Sequence, residues 1–151
     1  MNFYLVRHGD ALPETSDPRR PLSQIGREEV GQIARLAASR NVEVAAIFHS
    51  GILRARQTAE IMADHLLPRS GVRQIVGLWP QDDPAVAMVE IAAAQEPVML
   101  VGHLPHMNRL AALLINGDPD RDAVAFAPAT LVCVSHEGSQ WKLAWALAPQ
   151  S

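Results

Sequence analysis

Short apolar runs alternate along the chain with longer stretches in which apolar residues recur at helical spacing. Residues 2–6 form an apolar run that stops at Arg7-His8-Gly9, predicting a short buried strand. A helix is predicted over 23–40. Pro21 precedes it, Ser23 is placed to cap it, and Ile25, Val30, Ile33 and Ala37 fall near helical spacing, although Gly26 and Gly31 disfavour a helix. Residues 44–48 predict a second strand. Residues 53–67 predict a helix with Ala55, Ala59, Met62 and Leu66 on one stripe, closed by Pro68. A third strand is expected at 72–76, then a loop at 78–84 rich in proline and aspartate, then an alanine-rich helix at 85–95. The apolar run 98–101 breaks at Gly102-His103, and a helix over 105–115 ends at Asn116-Gly117. The tail differs: 130–135 and 141–147 flank a polar stretch and read as an antiparallel hairpin.

Strands alternating with helices predict an α/β fold of three layers, with helices on both faces of a mostly parallel sheet. The final hairpin makes that sheet mixed. No repeat, low-complexity tract or linker interrupts the pattern, so residues 1–151 are expected to form a single domain. In open sheets of this kind ligands bind beyond the carboxyl ends of the strands. Three predicted strand ends carry polar residues: Arg7-His8-Gly9, then His49-Ser50-Gly51 with Arg54 and Arg56 close behind, and Gly102-His103. The topology should bring them to one edge.

Composition narrows the functional classes. The chain is 48% hydrophobic and 19% charged, which excludes general disorder, and its net charge of −3 argues against nucleic-acid or anionic-membrane partners. No apolar stretch is long enough to span a bilayer. Strand-like sequence follows Met1-Asn2 with no basic segment or cleavage site, so a cytoplasmic location is expected. The lone Cys133 can form no intramolecular disulfide and reads as a buried, inert thiol.

The polar strand ends carry two histidines and at least two arginines with no cysteine or acidic cluster, so no metal site is expected. Arginine forks match phosphate-type oxyanions, and a neutral imidazole beside them can act as a nucleophile. Positive charge nearby should keep one imidazole nitrogen unprotonated. Gly9 is expected to admit a ligand close to the backbone and to offer a free N–H. The helix starting near Arg54 points its N-terminus at the same place, which favours an anion.

These residues resemble the histidine phosphatase superfamily, the phosphoglycerate mutase-like family. Arg7-His8-Gly9 after an N-terminal strand is similar to its first motif, the stretch from Ser50 to Thr58 to its phosphate-binding second, and Val101-Gly102-His103 to its third. The stretch from Arg19 to Gly26, the sequence His103-Leu104-Pro105 and the short chain resemble the SixA branch of phosphohistidine phosphatases. The resemblance implies that His8 is the nucleophile and becomes transiently phosphorylated. It implies that Arg7, Arg54 and His103 contact the phosphoryl oxygens, with no metal or other cofactor. Gly9, Arg20 and Ser50 are the expected substrate contacts. The implied partner is a phosphorylated protein, such as a histidine phosphotransfer domain, or a small phosphate ester.

Two departures bear on substrate. The usual Ser-Pro of the second motif is Ser50-Gly51, read as a change in loop stiffness. The acidic proton donor of most of the superfamily is missing from Gly77-Leu78-Trp79-Pro80, as it is in the SixA branch. A phosphoramidate P–N bond needs less help to break than an ester, so the missing acid favours phosphohistidine. The competing readings are a broad or small-molecule phosphomonoesterase using Asp82 or Asp83 as acid, and a phosphate-binding module without turnover. His49, His65, His106 and His136 are expected to be structural or on the surface, Arg56 solvated or paired, Asp10 a loop-orienting residue, and the three tryptophans core or rim.

Overall fold

In the first strand, β1 (Asn2–Arg7), successive side chains point to opposite faces, and both faces are covered. Tyr4 and Val6 join a core with Val30, Ile33 and Met62, whereas Phe3 and Leu5 join a second core with Ile91, Leu110 and Leu114. This explains why the strand is apolar throughout rather than alternating. Burial of each such large side chain contributes about 1.5–3 kcal/mol.

The computed structural model describes residues 1–150. After β1 follow α1 (Gln24–Ser39), β2 (Ala46–His49), α2 (Leu53–Leu66), β3 (Val72–Gln74), α3 (Pro84–Ala93), β4 (Val98–Gly102), α4 (His106–Asn116), β5 (Leu131–Glu137) and β6 (Gln140–Leu147). The sheet has six strands in the order β3-β2-β4-β1-β5-β6. The first four in that order run parallel, and β5 and β6 join antiparallel beside β1. The predicted mixed sheet, with α1 and α2 packed on one core and α3 and α4 on the other, is therefore observed. No helix among the described residues is long and apolar enough to cross a membrane.

Local signals behave as the sequence suggests. The Ser23 side chain accepts the Gly26 N–H and caps α1, and the α4 chain leaves through Gly117 at φ 72°. One expectation shifts. The buried stripe of α1 runs through Gly26, Val30, Ile33 and Ala37, so Ile25 lies about 100° round the helix from it and is exposed. Gly26 is there for proximity: a Cβ would lie 2.1 Å from the Asp10 carbonyl oxygen. The loop after β1 and the first turn of α1 thus touch backbone to backbone. Asp10 fastens the contact, its carboxylate accepting the Ser23 hydroxyl at 2.6 Å.

Candidate active site

The strand order sets β2, β4 and β1 side by side, so their carboxyl ends meet. Arg7 pairs with Gly102 and His49 with Val101 in register. His8 N–H donates to the Gly102 carbonyl at 2.9 Å, and Arg7 N–H to that of Thr130 at 3.1 Å. The end of β1 is strapped on both sides.

His8 and His103 face each other with ring centroids 5.0 Å apart. His8 Nδ1 lies 2.7 Å from the carbonyl oxygen of Gly9. A carbonyl can only accept, so Nδ1 carries the proton and Nε2 keeps its lone pair. Burial holds the His8 pKa down at about 4, helped by the guanidinium groups of Arg54, Arg7 and Arg20 and opposed by the Gly9 carbonyl. His103 is buried, and its Nε2 lies 2.7 Å from Ser50 Oγ. Burial, followed by His8, Arg54 and His106, brings its pKa to about 3.

Among the described residues, Arg7, Arg20 and Arg54 have no carboxylate in salt-bridge contact, unlike Arg19, Arg56, Arg69 and Arg109. Arg7 Nη1 donates to the Phe126 carbonyl at 2.9 Å, while its Nε is buried without a partner. Arg54 Nε is likewise buried and unpartnered. Burial lowers both guanidinium pKa values, yet arginine stays charged in proteins. Arg20 Nε donates to the Leu12 carbonyl, and the Arg20 charge is felt at His8 and Arg54. Three cations and two neutral imidazoles converge without a carboxylate among them. Such a concentration of unpaired positive charge and unused donors fits a phosphate-sized dianion. Among the described residues no group of three histidine, cysteine, aspartate or glutamate side chains is placed to hold a metal ion.

Gly9 departs from expectation. Its N–H is not free, because it donates to Thr58 Oγ1 at 3.1 Å, and Thr58 Oγ1 in turn donates to the Arg54 carbonyl at 2.8 Å. A Cβ on Gly9 would lie 2.7 Å from Val30 Cγ2. The missing side chain thus serves packing against α1, and Thr58 couples the His8 loop to the Arg54 turn. Thr58 escaped sequence reasoning, although its position one helical turn after Arg54 is the available signal.

Gly51 is also more than a flexible proline substitute. Its φ is 89°, which proline cannot adopt, and its N–H donates to His49 Nδ1 at 3.0 Å. The turn after β2 therefore takes a route closed to the family's Ser-Pro. Ser50 Oγ accepts the Ile52 N–H at 3.2 Å while contacting His103.

The other assignments divide. Arg56 pairs with Glu60 at 3.0 Å on an exposed face, and His136 stacks on Trp141 with centroids 3.8 Å apart. His49 is buried and structural. His106 is fully buried, and burial lowers its pKa. Trp79 is neither core nor a passive rim residue. Its indole Nε1 donates to the Ser50 carbonyl at 3.1 Å while the residue stays 55% exposed. Asp82 Oδ2 accepts the Trp79 N–H, and Asp83 Oδ1 accepts the Ala85 N–H at the start of α3. Both carboxylates are tied to backbone of their own loop.

The model of the histidine phosphatase superfamily (branch 1) matches residues 3–74. The phosphohistidine phosphatase SixA of Escherichia coli (strain K12) is 30% identical over 99% of this chain and 94% of its own. A solved structure of the protein histidine phosphatase SixA in complex with tungstate superposes with a TM-score of 0.82 at 29% identity, covering 99% of this chain and 97% of that one. A phosphoserine phosphatase variant from Entamoeba histolytica, solved with phosphoserine, shares the fold at 13% identity and a TM-score of 0.72, covering 96% of this chain and 95% of that one.

Proposed function

The chain belongs to the histidine phosphatase superfamily, and from that premise we propose that it is a phosphatase working through phosphorylated His8. Its preferred substrate on this reading is phosphohistidine on a phosphotransfer protein. The carrying observation is the Nδ1–H contact from His8 to the Gly9 carbonyl at 2.7 Å, which leaves Nε2 as the nucleophilic nitrogen among three unpaired guanidinium groups.

The reaction has two steps. His8 Nε2 attacks phosphorus, and the bond from phosphorus to the leaving nitrogen breaks with its electron pair going to that nitrogen. Water then attacks phosphorus, the P–Nε2 bond breaks, and the pair returns to His8 while inorganic phosphate forms. Arg7, Arg54 and His103 stabilise the charge that grows on the phosphoryl oxygens, and Arg20 adds to the field. The depressed His8 pKa keeps the nucleophile unprotonated near neutral pH. Charge neutralisation comes from guanidinium groups, so the scheme calls for no metal ion. Ser50 orients His103, and Gly9 holds the His8 tautomer through its carbonyl.

The reading draws support from the tungstate complex of the SixA relative, since tungstate imitates a phosphoryl group in transfer. It also draws support from the loop before α3, since ester cleavage needs a proton donor and Asp82 and Asp83 each spend one carboxylate oxygen on a backbone N–H. The test pairs phosphoenzyme trapping with a substrate panel. Incubation with a phosphorylated histidine phosphotransfer domain should yield an acid-labile phosphoprotein on this chain, lost in His8→Ala. Equal or faster turnover of alkyl phosphate esters overturns the preference for phosphohistidine, and absence of the phosphoenzyme overturns the mechanism.

A further inference from the structure

Trp79 stands in the loop between β3 and α3, within the stretch from Gly77 to Pro80 that carries no acidic residue. Tryptophan exposed to this extent is usually loose surface or part of an interface. Here it is neither loose nor packed away. The indole N–H is fastened to the Ser50 carbonyl at 3.1 Å and the backbone N–H to Asp82 at 2.9 Å, yet the residue remains 55% exposed. Ser50 is the residue whose hydroxyl meets His103, so the ring is anchored one residue from the chemistry. Trp79, Ser50, Gln74, Asp82 and Val86 line an open cleft of about 460 Å³. The cleft meets the site at Ser50, and it is lined by an aromatic ring and two carboxylates.

We infer that Trp79 forms a leaving-group subsite that stacks a planar nitrogen heterocycle bonded to phosphorus, an imidazole above all. The inference rests on the phosphatase reading and specifies what the site grips besides phosphate. An imidazole phosphorylated on one nitrogen and protonated on the other carries positive charge on its ring. The face of an indole attracts cations, and Asp82 and Asp83 add negative charge at the rim. When the P–N bond breaks, the pair goes to the ring nitrogen, while the far nitrogen keeps its proton. The ring leaves as neutral imidazole, so no protein acid is required. An aromatic wall in place of an acid therefore suits one leaving group and disfavours alkoxides.

Four small substrates separate ring recognition from the rest: N-phosphoimidazole, phosphoramidate with a P–N bond and no ring, phenyl phosphate, and methyl phosphate. Trp79→Ala and Trp79→Leu should raise KM for N-phosphoimidazole about tenfold more than they raise KM for phosphoramidate. Trp79→Phe, which keeps a ring but loses the N–H, should retain most of the discrimination. Trp79→Leu and Trp79→Phe preserve bulk, so the comparison holds even where Trp79→Ala melts early. Equal losses on N-phosphoimidazole and phosphoramidate would reduce Trp79 to a prop for Ser50 and overturn the inference while leaving the phosphatase reading intact. Wild-type KM retained in Trp79→Leu overturns it as well. A wild-type protein that turns over neither P–N substrate overturns both.

Discussion

The ends of β1 and β4 lie side by side, each delivering one histidine, yet the two histidines are held in opposite ways. His8 is half-buried and donates its hydrogen bond to the next residue of its own chain segment, through the Gly9 carbonyl. His103 is buried and meets a side chain delivered by a different strand end, Ser50 after β2. A bond to an adjacent carbonyl fixes the tautomer and leaves Nε2 usable as a nucleophile. A bond to a hydroxyl leaves the direction of the proton open, which suits a group that donates to an oxyanion once one arrives. Two neighbouring strand ends thus present chemically distinct imidazoles, and the difference comes from what each ring touches.

The sharpest way to break that contrast is to remove each histidine in turn. On the proposed roles His8→Ala abolishes the phosphoenzyme and lowers turnover by about 10⁴ or more, read by acid-labile trapping and by phosphate release. His103→Ala lowers turnover by about 10²–10³ but still accumulates phosphorylated His8, as expected for loss of one donor to the transition state. Equal phosphoenzyme yields in the two variants, or its loss in both, would erase the distinction. A smaller effect is expected from Ser50→Ala. It leaves His103 without its ring contact, and kcat should fall by about tenfold with little change in phosphate affinity, measured by steady-state kinetics and phosphate inhibition.

The smallest expected effect concerns acid. Both ring pKa values lie below the ordinary histidine value, at about 4 for His8 and about 3 for His103, because burial disfavours the charged form. The unfolded chain takes up protons first as pH falls below about 6.5. Stability present above that pH is therefore lost as pH falls toward 4 and then 3. His103→Asn should flatten this acid-side loss, as seen by thermal melting at pH 7 and pH 5. Added phosphate should raise Tm of the wild type more than of Arg54→Gln, since the anion binds only the native cluster.

Much of this could be read from residues in order. The apolar run before Arg7 and the break at Gly102 mark strands buried on both faces, and the cap at Ser23 and stop at Gly117 bound two helices. These are local signals, set by period and turn chemistry within a few residues. Less legible were the uses of single groups. Gly9 resembles a ligand contact in sequence, but in the fold its N–H belongs to Thr58, a residue brought near by α2. Gly51 resembles a flexible stand-in for proline, but its φ of 89° is imposed by the turn and its bond to His49. Trp79, expected in the core or at the rim, lies at the rim, and its bond to the Ser50 carbonyl is what the sequence does not show.

The sequence by itself determined the strand and helix alternation, and with it that Arg7, His8, Arg54 and His103 would gather at one sheet edge. Periodicity and the rule for open parallel sheets suffice for that, because each acts along the chain. Only the tertiary structure decided which nitrogen of His8 keeps a lone pair, which N–H is already taken, and which ring faces the cleft. The His8 tautomer turns on how the backbone folds back at the adjacent Gly9, and the others on contacts between segments far apart in the chain, such as Gly9 with Thr58 and Ser50 with His103. Hydrogen-bond geometry and burial act through space, so no pattern along the chain records them.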